Sequence, residues 1–177
     1  MPSKPIYLGL LLWLGVTGHE ARAENCRLSI SQPQVEYGII RPEHADERST
    51  VAPGTRTLHL NIQCAQPSAI GVRFNGTPAD GQSFRFGREG RFRVRLRHAL
   101  VDGRAVQWAV AHAPGETTSG QLLPGKALLA QVPGRRLSAQ VDIDVELPFS
   151  AMQVRSLTLL EGQGSFEWVS SAVPLSQ

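Results

Sequence analysis

The chain has 177 residues, a formal charge of +3, 41% hydrophobic residues and two cysteines. That length suits one domain with a real core and leaves little room for a second, and so mild a basicity points to no particular partner. The two cysteines have no further ligand at metal spacing nearby, which argues against a zinc module.

The N-terminus reads as an export signal. Lys4 supplies a positive start, Ile6 to Val16 a short apolar run, and Ala21-Arg22-Ala23 the small-x-small pattern cut by signal peptidase. Gly18, His19 and Glu20 interrupt the run before it reaches the roughly 20 apolar residues needed to cross a bilayer. Residues 1–23 are therefore expected to be removed, leaving residues 24–177 as one exported domain. No later segment is long or apolar enough to span a membrane. In an oxidising compartment Cys26 and Cys64 are expected to form a disulfide.

Along the mature chain the dominant period is two, the mark of half-buried strands. Cys26, Leu28 and Ile30 alternate first. Leu58, Leu60, Ile62 and Cys64 then oppose Thr57, His59, Asn61 and Gln63. Ile70, Val72 and Phe74 follow, then Phe92, Val94 and Leu96. From Leu137 to Leu147 six apolar residues oppose Ser138, Gln140, Asp142, Asp144 and Glu146. Both cysteines fall on the inward phase.

Turn residues separate these runs: Pro53-Gly54, Asn75-Gly76, Asp80-Gly81, Asp102-Gly103, Pro114-Gly115, Pro124-Gly125 and Pro133-Gly134. Asp102-Gly103 predicts a hairpin between Phe92 to Val101 and Val106 to His112. The polar stretch from Arg41 to Ala52 predicts an exposed loop. No segment carries a 3.6-residue apolar stripe of useful length. Short strands with Gly and Pro between them predict an all-β sandwich of immunoglobulin-like type.

The ordered pieces Cys26, Val35-Glu36-Tyr37-Gly38-Ile39-Ile40, Leu58 to Cys64, Phe86-Gly87, Gly90, Val101-Asp102-Gly103 and Gly164-Ser165-Phe166-Glu167-Trp168 resemble the β-fimbrial group of chaperone-usher pilus subunits of Gram-negative bacteria, often described only as a domain of unknown function. The resemblance spans most of the mature chain. It implies a sandwich lacking its last strand, with a groove flanked by Leu28 and Ile30 at the front and Phe166 and Trp168 at the back. It also implies a periplasmic chaperone, an outer-membrane usher and neighbouring pilus subunits as partners, a place in the fimbrium or at the cell surface, and a role in cell adhesion.

Two departures refine that expectation. Subunits of this family carry a donor extension before the first cysteine, whereas cleavage after Ala23 leaves only Glu24 and Asn25. Such a chain is expected to receive a strand without donating one, as a minor or tip-located component. The family's penultimate Tyr is also missing from the end of the chain, so its usual chaperone contact is not expected.

The strongest charge feature is the row Arg91, Arg93, Arg95 and Arg97, alternating with Phe92, Val94 and Leu96. One reading is a face for an anionic host glycan, since guanidinium pairs bidentately with carboxylate or phosphate. On that view the protein is a self-complete secreted sandwich. The other reading is an outer face neutralised by Asp142, Asp144 and Glu146, if their strand lies alongside. Nucleic acid is not expected as a partner, because no aromatic residues interleave on the arginine face and export separates the chain from such targets. His44 lies among Glu43, Asp46 and Glu47 in a polar loop, and the histidines lack zinc-site spacing. With no Gly-x-Ser-x-Gly elbow and no phosphate-cradling glycine loop, neither catalysis nor a cofactor is expected. Asn75-Gly76-Thr77 is a glycosylation sequon only in a eukaryotic source. Trp108 and Trp168 fall on the apolar phase and are expected in the core.

Overall fold

The computed structural model describes residues 26–41, 50–111, 113–154 and 156–170. The expected export signal, the polar cluster around His44 and the end of the chain lie outside these residues. The regular structure of the described chain is nearly all β, arranged as two antiparallel sheets face to face in an immunoglobulin-like sandwich.

The first sheet is built on three long strands: β3 (Thr55–Ser68), β6 (Gly90–Val101) and β12 (Gly134–Pro148). β1 (Cys26–Ile30) lies at one side and β10 (Gln121–Leu122) at the other, giving the order β1-β3-β12-β6-β10. Short strands add to it: β2 (Thr50–Val51) on β12, and β5 (Phe84–Phe86) and β7 (Arg104–Ala105) on β6. The second sheet runs β13-β4-β11-β8-β9, comprising β13 (Gly164–Val169), β4 (Gly71–Gly76), β11 (Ala127–Ala130), β8 (Trp108–Val110) and β9 (Ala113–Thr118). A 3-10 turn, Phe149–Met152, follows β12.

The two-residue period sets the layers. On β3, Leu58, Leu60, Ile62 and Cys64 are buried while Thr57, His59, Asn61 and Gln63 are exposed. β12 buries Leu137, Ala139, Val141, Val145 and Leu147 in the core that also holds Val72 and Phe74 of β4. Each fully buried Leu or Ile contributes on the order of 2 kcal/mol relative to an exposed one. At one end of the sandwich Phe74 meets Phe84, Phe92 and Phe166 edge-on, with ring centroids 4.7, 5.8 and 5.0 Å away. These geometries match the preference of ring quadrupoles for edge-to-face contact.

The disulfide forms between Cys26 and Cys64, which face each other across the β1–β3 ladder with Cα atoms 3.9 Å apart. The hairpin at Asp102-Gly103 also forms. Both residues take positive φ, 49° and 81°, as the two-residue turn between Val101 and Arg104 requires. Its return arm is shorter than expected. β7 ends at Ala105, and the chain then crosses to the second sheet, where Trp108 is buried. The stretch expected as a loop from Arg41 to Ala52 contains β2 at Thr50–Val51, with residues 42–49 outside the described ones.

Two expected turns are strands instead. Asn75-Gly76 ends β4, where Gly76 pairs with Gly164, and Pro114-Gly115 lies inside β9 at the border of the second sheet. Proline is tolerated on a border strand because its missing N–H can face outward. Among the described residues no helix is long and apolar enough to cross a membrane, and no three His, Cys, Asp or Glu side chains converge as metal ligands.

Candidate strand-acceptor edge and arginine face

β1 and β13 border the two sheets on the same side of the sandwich. Among the described residues β1 pairs only with β3, and β13 only with β4, yet their Cα atoms approach within 8 Å of each other. No ladder joins them. Ser31 N–H donates to His59 O at 2.8 Å, which makes that pair a hydrogen-bonded one. Alternation along an antiparallel ladder then makes Ser29/Asn61 and Arg27/Gln63 hydrogen-bonded pairs too. Cys26, Leu28 and Ile30 are left with backbone N–H and C=O groups directed away from β3.

The side chains on this border divide by face. Leu28, Ile30, Phe166 and Trp168 are all half-buried and packed against the core. Trp168 therefore departs from the fully buried position expected of it. It sits on a border strand with no strand paired on its outer side among the described residues, whereas Trp108, within the second sheet, is only 4% exposed. The Trp168 indole Nε1 is buried and has no hydrogen-bond partner among the described residues. An unpaired buried donor costs on the order of 1–3 kcal/mol. On the opposite face of β13, Glu167 accepts from Asn75 Nδ2 at 2.9 Å and pairs with Arg73 at 3.4 Å.

The segment after β1 packs Val35, Tyr37 and Ile40 against the core. Tyr37 Oη donates to Ile143 O at 2.7 Å, and the Arg56 guanidinium lies 5.2 Å from its ring centroid. Burial, reinforced by the nearby Asp144 carboxylate and only partly offset by Arg56, pushes the Tyr37 hydroxyl up to about 12. No periodic signal in the sequence marks this contact, because 106 residues separate its partners.

The arginine row lies on the outer face of β6, and β12 does run alongside it. Arg95 stands opposite Asp142, Arg93 opposite Asp144 and Arg91 opposite Glu146. Glu146 accepts from Arg91 Nε at 2.7 Å and from Arg93. Burial pushes the Glu146 carboxyl up, but these hydrogen bonds and the two positive charges outweigh it, and the net shift is downward. Asp142 lies 3.9 Å from Arg97 Nε and accepts from Thr57 Oγ1 at 2.8 Å; Asp144 accepts from Thr55 Oγ1 at 2.6 Å. Four arginines thus face three carboxylates, and the row is largely engaged within the protein.

No protein-family model matches the chain, and no curated protein matches it.

Proposed function

We propose that this chain is a non-enzymatic subunit of a chaperone-usher fimbria, exported through the periplasm and completed by a strand added between β1 and β13. The observation that carries this reading is the paired open border: two edge strands, four half-buried apolar side chains between them, and an indole N–H that lacks an acceptor. An incoming strand would cover the apolar side chains, pair with the outward groups of Cys26, Leu28 and Ile30, and bring polar atoms to Trp168. A periplasmic chaperone lends this strand first, and a neighbouring subunit replaces it at the usher.

Two inter-strand spacings amount to about 9.6 Å, more than the closest approach of β1 to β13. Accepting a strand therefore parts the two borders. A separate subunit is expected to hold its borders collapsed, exposing apolar surface and losing solubility. The test is periplasmic expression with and without a co-expressed pilus chaperone, or with a peptide of alternating apolar residues. Higher yield and protease resistance with the added strand support the reading. A stable monomer whose Trp168 indole resonance ignores both additions would overturn it.

A further inference from the structure

At the other side of the sandwich, remote from β1 and β13, β6 carries a bulge. Leu100 pairs with Ser138 and Arg97 with Gln140, so one extra β6 residue is accommodated between them. The apolar phase changes there. Phe92, Val94 and Leu96 point inward before it, and Ala99 and Val101 after it, which leaves Arg97 and His98 consecutive and both exposed. His98 takes φ = +49°, a region that side-chain-bearing residues seldom occupy. Bulges of this kind re-aim side chains, and such backbone strain concentrates at functional sites.

The bulge opens a cleft of about 450 Å³, within the size range of small-ligand sites. Trp108, Leu96 and Val106 form its apolar part, and Arg97, His98, Gln107 and Ser119 bring polar groups to it. The loop between β9 and β10 is held over the bulge by Leu96 N–H donating to Gly120 O at 2.8 Å. No carboxylate stands among the described lining residues. Arg97 is also the least engaged of the paired arginines in the row: its contact with Asp142 is 3.9 Å, against 2.7 Å for Arg91 with Glu146. Its guanidinium keeps donors for an external acceptor.

We propose that this cleft binds an acidic sugar, its carboxylate against Arg97 and His98 and its ring hydroxyls against Gln107 and Ser119. A sugar fits better than a simple carboxylate because the half-buried Val106 and the small exposed margin of Trp108 line the cleft together with these polar groups, and a sugar ring presents both kinds of surface. The site shares Arg97 with the outer arginine row but is otherwise built from residues at the bulge, and it does not depend on strand addition at the opposite border.

The test is a titration of the full exported chain, in whichever form is soluble, with glucuronic acid, N-acetylneuraminic acid, glucose and an acetylated glutamyl peptide, following the His98 ring and Trp108 indole resonances. The acidic sugars are expected to shift both, and glucose neither. His98→Gly suits the positive φ, so it should melt no lower than the parent, while binding weakens about tenfold or more. Arg97→Gln should weaken binding similarly, and Arg88→Gln should leave it unchanged. Absence of any shift, an equal response to glucose, a response to the glutamyl peptide alone, or full binding by Arg97→Gln would each overturn the proposal.

Discussion

Cys26 and Cys64 occupy opposed positions in the β1–β3 ladder, both over 90% buried and both on the inward face of the first sheet. The bond fastens the border strand at its first residue, where β1 has a single hydrogen-bonded neighbour. The two cysteines are 38 residues apart, and on the chain-entropy model closing such a loop stabilises the fold by about 4 kcal/mol. Replacing both cysteines with serine is expected to lower unfolding free energy by roughly that amount in urea titration. Amide exchange should rise first in Arg27 to Ile30, ahead of β12. Uniform exchange across all strands would show that the bond does not serve this border specifically.

Tyr37 is the only tyrosine beyond residue 23, so tyrosinate absorbance of a chain prepared without residues 1–23 reports this side chain alone. Its hydroxyl is expected to titrate near 12 in the folded protein, against about 10 when unfolded. A raised folded-state value means the contribution is fully present below pH 10 and is lost as pH rises through 12. Tyr37→Phe should remove that alkaline loss and cost about 1 kcal/mol at neutral pH through the missing hydrogen bond to Ile143 O. Ionisation near 10 with native circular dichroism would contradict the contact.

Much of this architecture was legible because burial and period two coincide. Leu58 to Cys64 and Leu137 to Leu147 each show one inward face, and the two strands prove adjacent in the first sheet. The charge pairing was half-legible. Alternation put Asp142, Asp144 and Glu146 on one face, but only the long-range ladder could show that Thr55 and Thr57 also engage these carboxylates. The His98 bulge is not legible from the period because strict alternation ends at Leu96 and resumes in shifted phase at Ala99 and Val101. Phase alone puts Trp168 in the core, and phase cannot distinguish a central strand from a border one. Pro114-Gly115 and Asn75-Gly76 carried turn chemistry, yet border position and pairing to β13 overrode it.

Glu146 is the most heavily engaged carboxylate of the arginine face, accepting from two guanidinium groups. Its carboxyl is held below the usual carboxylate range despite partial burial. A lowered folded-state value means its contribution is present above the unfolded pKa and is lost as pH falls through the folded one. Glu146→Gln is expected to cost about 1 kcal/mol at pH 7, with parent and variant converging in strongly acidic solution. Because the groups remain partly exposed, added salt should narrow the difference at neutral pH. A gap that stays constant from neutral to strongly acidic pH would assign the loss to packing instead of charge.

Gly164 opens β13 at the aromatic end of the sandwich, opposite Gly76. A Cβ placed there would lie 2.2 Å from Phe74 Cζ and 2.7 Å from Asn75 O, so Phe74 and the β4 backbone would both have to move. Phe74 in turn stacks edge-on against Phe84, Phe92 and Phe166, and displacing it disturbs the whole cluster. Gly164→Ala is expected to destabilise the fold by about 2 kcal/mol through overpacking. The effect should concentrate on the β4–β13 pairing, read as faster amide exchange at Phe166 and Trp168 with β3 and β12 unaffected. Since β13 is also the border proposed to receive a strand, the variant should need a higher concentration of complementing peptide for the same protease resistance. Unchanged stability together with unchanged peptide response would mean that Phe74 can give way freely, and that the aromatic cluster does not hold β13 in place.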